Sequence, residues 1–267
     1  MIPDTDPRIP QYLYPIGIAL GVLGRDREAL TIHQEAVRVA TEVWGPSHPE
    51  TARFVIHLAT TRATLGECSA AIDPLLAARA QLTGSLPPDS FEHLQITQTL
   101  GTCYAELGRL DDAMREHRAA QQALIAANRE HSVEMARVWV DLGDVQLQSK
   151  HGADAIGAYR HAVALYEARV EATDARLGLP LSRLGEALFE RGKHVQAIAP
   201  LERALAIYTH AGSPQNLVAE VAFPLAQVLW LARRDRPRAR RLAEQAHAAL
   251  AGDPRADQVA RWLRQIR

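Results

Sequence analysis

The sequence predicts an all-α solenoid: six helix-turn-helix repeats in series, closed by a C-terminal capping helix. Three observations predict it. Alanine stands at residues 29, 71, 113, 155, 197 and 239, a step of 42 residues each time, and Ala36, Ala78, Ala120, Ala162, Ala204 and Ala246 keep the same step. Two interleaved series with one period mark six copies of one unit. Within a copy, apolar residues recur at i, i+3 and i+4, as in Ile96, Leu100, Cys103, Tyr104 and Leu107, which is the pattern of an amphipathic helix. The composition agrees, being rich in Ala, Leu, Arg, Glu and Gln with only four Phe.

The copies fall at 10–51, 52–93, 94–135, 136–177, 178–218 and 219–252, with the capping helix at 254–267. The third copy shows the unit best. Its helix A ends at Gly108, because glycine accepts the left-handed cap conformation without steric cost. Asp111 and Asp112 then set negative charge at the positive end of helix B, which turns Ala113, Ala120 and Leu124 inward. Gly17, Ala59, Gly101, Gly143, Gly185 and Ala226 sit in the middle of the A helices. Glycine there costs about 1 kcal/mol relative to alanine, so the position needs space. The expected partner is the repeated alanine of helix B, small residue against small.

Each departure from the pattern has its own reading. In the first copy Pro10 and Pro15 interrupt helix A, so either the helix begins near Pro15 or the chain was cut from a longer protein. Pro74 and Pro200 occupy equivalent places in the B helices of copies two and five. Each removes a backbone donor, which either bends the helix or is tolerated within its first turns. Copy six replaces the turn glycine with Arg233-Arg234-Asp235-Arg236-Pro237 and needs one extra residue before Ala239. After it, Val259, Trp262, Leu263 and Ile266 are spaced to cover the last apolar face.

These residues resemble the tetratricopeptide repeat. Copy four carries Trp139, Leu142, Gly143, Ala155, Tyr159 and Ala162 at that pattern's offsets, and copy three carries Leu100, Gly101, Tyr104, Gly108, Ala113 and Ala120. The 42-residue step, with the linker Trp44-Gly-Pro-Ser-His-Pro-Glu-Thr-Ala52, is similar to the longer repeat of kinesin light chains and their bacterial relatives. The resemblance implies a right-handed α-solenoid. The tail, Leu-Trp followed by Arg-Asp-Arg, an Ala-rich helix and a final Trp-Leu, is similar to C-terminal repeat regions of myxobacterial-type serine/threonine kinases. That leaves room for covalent linkage to a kinase domain in the full-length protein.

The sequence carries few motifs of catalytic chemistry. The nearest approach to a phosphate-binding loop, Gly185 to Gly192-Lys193-His194, has six residues between its glycines and no hydroxyl. A serine-hydrolase elbow, a His-Glu-x-x-His zinc motif and kinase signatures are all lacking. His33 and His117 share one repeat position with Leu75, Tyr159 and Leu201, and read as partly buried packing residues rather than ligands. His131, His151 and His161 do not pair on one helical face. Cys103 reads as core, and Cys68, near a turn, reads as more accessible. With only two cysteines, both are expected as free thiols in a reducing cytoplasm. The expectation is therefore a non-enzyme with no catalytic residues, no cofactor and no metal.

A formal charge of -1 argues against bulk attraction to nucleic acid or an anionic membrane. The chain has neither a run of roughly 18 apolar residues nor a basic, apolar leader after Met1. The localisation expected is cytoplasmic. The 28 arginines against Lys150 and Lys193 read as the coding bias of a GC-rich bacterial genome. Arg233, Arg234, Arg236, Arg238, Arg240 and Arg241 form a cluster read as a solvated turn and helix face rather than a contact for nucleic acid.

In the family this chain resembles, helix A lines the inner face, where peptides or partner helices lie. Carrying those offsets over selects Arg53, His57 and Thr60 in copy two, and Gln95, Gln98, Thr99 and Thr102 in copy three. Copy four gives Arg137, Asp141 and Asp144, and copy five gives Ser182, Arg183, Glu186 and Glu190. Core packing does not account for such polar side chains, so solvent or a ligand is expected to satisfy them. The early half is neutral to basic and the later half acidic. The paired Asn of kinesin light chains is absent, which argues against the same acidic cargo. The function expected is a scaffold that binds a peptide or protein segment, as the interaction region of a bacterial signalling protein. The alternative is a regulatory protein that changes shape on sensing a peptide.

Overall fold

The structure is a computed structural model and describes residues 6–266; Met1 to Thr5 and Arg267 lie outside the described residues. The predicted class is observed: among the described residues there are thirteen α-helices and no strand. The chain forms two compact units that divide between Glu130 and His131. The first contains α1 (Ile9–Val22), α2 (Asp26–Trp44), α3 (Pro49–Thr64), α4 (Cys68–Leu82), α5 (Phe91–Glu106) and α6 (Leu110–Ala126). The second contains α7 (Val133–Gln148), α8 (Gly152–Glu167), α9 (Gly178–Glu190), α10 (His194–His210), α11 (Gln215–Leu231), α12 (Arg236–Ala249) and α13 (Arg255–Gln265). In both units consecutive helices pack antiparallel as A and B, and the A helices also touch one another, α1 to α3 to α5 and α7 to α9 to α11.

Two local devices repeat with the 42-residue step. The first starts helix A. His48, Ser90, Ser132 and Asp174 are N-caps whose side chains accept from the backbone N–H groups of Glu50, His93, Met135 and Arg176. Each satisfies one of the donors that a helix start leaves unpaired. These caps start the A helices of copies two to four at Pro49, Phe91 and Val133, three residues ahead of the repeat starts read from the alanine ladder. The second device ends helix A. Gly24, Gly66, Gly108 and Gly192 take positive φ there, and so do Lys150 and Arg233 where glycine is missing. The next residue then reaches back five positions, as Arg109 N–H does to Tyr104 C=O at 2.8 Å and His151 N–H to Gln146 C=O at 2.8 Å. This closes the helix end with a Schellman turn.

The mid-helix glycines are corrected by the structure. Their partner is the large side chain four residues after the repeated alanine. A Cβ on Gly17 would overlap the His33 ring, one on Gly101 the His117 ring, and one on Gly185 the Leu201 side chain. On Gly143 it would lie 2.6 Å from the Tyr159 ring. Small faces large: the glycine opens a socket that helix B fills. His33 and His117 are accordingly fully buried, beyond the partial burial expected of them.

The prolines behave differently from the expectation in one case. Helix α1 begins at Ile9, with Pro10 in its first turn where no donor is needed, and it runs through Pro15 without a break. Pro74 and Pro200 stand inside α4 and α10, beyond the first turn. Pro74 leaves the Ala70 carbonyl without its helical donor, and the guanidinium of Arg62 on α3 donates to that oxygen at 3.2 Å.

The end of the second unit is closed as expected. Val259 is buried, and the Trp262 ring meets Phe223 and Trp230 edge-on at 5.8 and 6.1 Å. In the arginine cluster, Arg238 pairs with Glu202, Arg240 with Glu244, and Arg236 lies 4.7 Å over the Trp230 ring.

Candidate binding face

In each unit the A helices carry the polar side chains selected from the sequence. In the first unit, α3 presents Arg53, His57 and Thr60, and α5 presents Gln95, Gln98, Thr99 and Thr102. Most of them bond to each other. The Gln95 amide donates to Thr60 Oγ1 at 3.3 Å and faces His57 Nδ1 at 3.4 Å, while Thr60 and Thr99 hydroxyls meet at 3.3 Å. Thr60 and Thr99 also donate to the carbonyls one turn back, Ile56 and Gln95. Arg53 is neutralised from two sides, by Glu50 at 2.7 Å and Glu92 at 3.0 Å. Gln98 is half-buried and Thr102 exposed, and neither enters this network.

This corrects one premise. Thr99 is buried, as is Ser182 in the second unit, and internal hydrogen bonds satisfy both without ligand or solvent. The network also includes residues that the offsets missed. The Tyr14 ring lies against His57, tilted by 40° with centroids 4.3 Å apart, and His33 Nδ1 meets Thr61 Oγ1 at 2.8 Å. Burial, with His33 close by and Glu92 opposing, lowers the His57 imidazole to about 4. Burial lowers His33 as well, and brings His117 on α6 down to about 4.

In the second unit, α7 presents Arg137, Asp141 and Asp144, and α9 presents Ser182, Arg183, Glu186 and Glu190. Arg137 and Glu190 are exposed, and the others form a charged patch. The Arg183 guanidinium reaches Glu186 at 3.0 Å and Asp144 at 3.5 Å. The Ser182 hydroxyl donates to Glu186 at 2.9 Å, and Tyr159 from α8 donates to Asp144 at 2.7 Å. Burial and the adjacent Asp144 push the Asp141 carboxyl up to about 7, against the pull of Arg137. Burial raises Asp144 too, opposed by Arg183 and the Tyr159 hydrogen bond. Tyr159, the socket residue of its hairpin, thus links the packing of α8 to the charge on α7. Its place at the large position of helix B was visible in the sequence, but its reach to Asp144 was not.

Among the described residues no group of three or more His, Cys, Asp or Glu side chains is arranged to hold a metal ion. No helix among them is long and apolar enough to cross a membrane. Cys103 is core as expected, but Cys68 is buried rather than accessible, and its thiol donates to Glu106 at 3.1 Å. Burial pushes the Cys68 thiol well above the usual cysteine range and raises that of Cys103, away from thiolate chemistry.

Residues 16–50 and 177–251 match models of the tetratricopeptide repeat. No curated protein matches the sequence. Among solved structures, BtubC (BKLC) from P. vanneervenii is similar at 19% identity and a TM-score of 0.70, over 86% of this chain and 91% of that one. A Podosopora anserina putative kinesin light chain with nearly identical TPR-like repeats is similar at 20% identity and a TM-score of 0.61, over 78% of this chain and 99% of that one. A Rap protein complexed with competence and sporulation factor is similar at 14% identity and a TM-score of 0.71, over 96% of this chain and 73% of that one. The two matched stretches are tetratricopeptide repeats, and the chain has the all-α repeat-solenoid fold of these tetratricopeptide-repeat structures.

Proposed function

We propose that the chain is a non-catalytic protein-interaction scaffold that holds a peptide or protein segment along its A-helix face. One observation carries the reading: the same offsets are polar in repeat after repeat. Arg53, Gln95 and Arg137 share one offset; His57, Thr99, Asp141 and Arg183 share the next; Thr60, Thr102, Asp144 and Glu186 share a third. A row of this kind suits a ligand that is itself extended or helical and is held by many small contacts. Internal bonding of the row makes it rigid, which lowers the entropy cost of binding. The free contacts of the first unit are then Gln98 and Thr102. A ligand on the A-helix face of the second unit, taken by itself, meets carboxylates offset by Arg183 and Arg137.

The test is a displayed peptide library panned against the full chain, with Gln98→Ala/Thr102→Ala panned in parallel. Loss of the captured peptides from the variant, at unchanged helicity by circular dichroism, supports the face. Equal capture by both proteins places binding elsewhere and overturns it. The likeness to a Rap protein solved with a bound factor favours a second reading, a regulator that changes shape on binding a peptide. A captured peptide that alters the radius measured by solution scattering supports that reading over a static scaffold. The finer setting, the interaction region of a cytoplasmic bacterial signalling protein, rests on the resemblance of its tail and on its arginine usage.

A further inference from the structure

Helix α1 carries an apolar stripe with no partner among the described residues. Tyr12, Ile16 and Leu23 are 63%, 48% and 69% exposed, and Ala19 between them is exposed as well. The 42-residue step gives the stripe a meaning. The same positions in α5 are Ile96, Leu100 and Cys103, each fully buried, and in α9 they are Pro180, Leu184 and Ala187, also buried. In α3 the first of them, Phe54, is buried and packs with Leu13, Tyr14 and Trp44 of the copy before it. At Tyr12, Ile16 and Ala19 the stripe on α1 therefore repeats a surface that α5 and α9 bury, while the equivalents of Leu23, Leu107 and Arg191, stay exposed as Leu23 does. In the second unit α13 covers the last apolar face, whereas no described helix covers this stripe of α1.

We infer that a second copy of this chain covers it, the two α1 helices pairing antiparallel about a two-fold axis. The spacing of Tyr12, Ile16, Ala19 and Leu23 is four, three, four, which reads the same in both directions. Turned end over end, the stripe meets itself in register. Tyr12 lies against Leu23 of the other copy, and Ile16 against Ala19, so that each large side chain faces a smaller one. No charged residue occurs between Ile9 and Val22, so nothing on the helix opposes self-pairing. The ends carry both signs, with Asp6 and Arg8 at one and Arg25 and Glu28 at the other. Each sign is already paired within its own copy, Arg8 with Asp6 and Glu28 with Arg25, so an antiparallel pair surrounds an apolar centre with a polar rim. The contact is a single pair of helices, at the small end of specific interfaces, so it forms at micromolar rather than nanomolar concentration.

Sedimentation equilibrium of the full 267-residue chain tests this, from about 1 to about 200 μM. Wild-type protein should pass from monomer to dimer over that range. Ile16→Glu should stay monomeric, its dissociation constant raised about ten-fold or more by a carboxylate buried at the axis. Leu107→Glu, at the exposed end of the same stripe on α5, should dimerise like wild type. Circular dichroism confirms that each variant is folded; a misfolded Ile16→Glu is replaced by Ala19→Glu, which loads the same axis. Wild-type chain that remains monomeric throughout, or dimerisation that survives a charge at the axis, overturns the inference. This outcome is independent of peptide capture, which concerns Gln98 and Thr102 on α5.

Discussion

The two units solve one packing problem with different chemistry. In both, a helix-A glycine opens a socket for a large side chain of helix B. The first unit fills the sockets at Gly17 and Gly101 with imidazoles, and the second fills those at Gly143 and Gly185 with a phenol and an isobutyl group. The A faces differ in the same sense. The first unit bonds neutral groups to each other, His57 to Gln95 to Thr60 to Thr99, and the second gathers Asp144 and Glu186 around Arg183, with Asp141 beside Asp144. The lesson concerns protons. Each unit buries groups that prefer to be neutral, but the first buries bases and the second acids.

The largest test breaks the socket of the second unit. Tyr159→Ala removes a fully buried ring and takes the hydroxyl donor from Asp144, so it should cost about 3–5 kcal/mol. Hydrogen exchange followed peptide by peptide should show lost protection in α7 and α8. If those helices stay protected while stability falls, Tyr159 is not the link between them.

Acid should separate the units next. The unfolded chain protonates histidine near pH 6.5, but folded His117 resists until about pH 4. Its contribution is complete above pH 6.5 and is lost as pH falls toward 4, a change of roughly 3 kcal/mol. His57 adds to the loss in the same window. Asp141 works in the other direction: raised from 3.8 to about 7, it binds its proton first in the folded unit. That contribution is complete below about pH 4 and is lost as pH rises through 7. Acidification from pH 7 to 4 should therefore weaken protection in α5 and α6 while that in α7 gains. His117→Leu sharpens the contrast, because Leu201 already fills the equivalent socket at Gly185. The variant should fold and lose the larger part of the acid sensitivity of α5 and α6; undiminished sensitivity would assign it to another group.

Filling the sockets from the other side should cost less. Gly101→Ala and Gly143→Ala each set a methyl group into a ring, at about 1–3 kcal/mol, from which a better helix propensity returns up to about 1 kcal/mol. A gain in melting temperature for either would refute the socket.

These contrasts show what the sequence could and could not carry. The alanine ladder located both helices of every copy, because burying one face every 42 residues leaves a periodic trace. It did not show what faces the glycines, since His33, Leu75, His117, Tyr159 and Leu201 share a position but no chemistry. The caps at His48, Ser90, Ser132 and Asp174 were legible as a third ladder, obscured by three different residue types doing one job. The candidate face was legible only as a set of offsets. Whether Thr99 points to a ligand or closes a bond to Thr60 depends on the distance between α3 and α5, which no single repeat encodes.

The smallest test exchanges the turns. Gly108 in the first unit and Lys150 in the second end their A helices at the same repeat position, with φ of 74° and 63°. Both turns make the same pair of closing hydrogen bonds, so the hydrogen bonding is matched and only the residue differs. A side chain bearing Cβ is strained in the left-handed region by roughly 1–2 kcal/mol, whereas glycine is not. Glycine gives back part of that gain through the greater freedom of its unfolded chain. Lys150→Gly should thus stabilise the second unit by about 0.5–1 kcal/mol, and Gly108→Lys should destabilise the first by about the same amount. Chemical denaturation reads both as opposite shifts of midpoint at constant slope. If Lys150→Gly is destabilising instead, the lysine side chain makes a contact at that turn strong enough to outweigh the backbone strain.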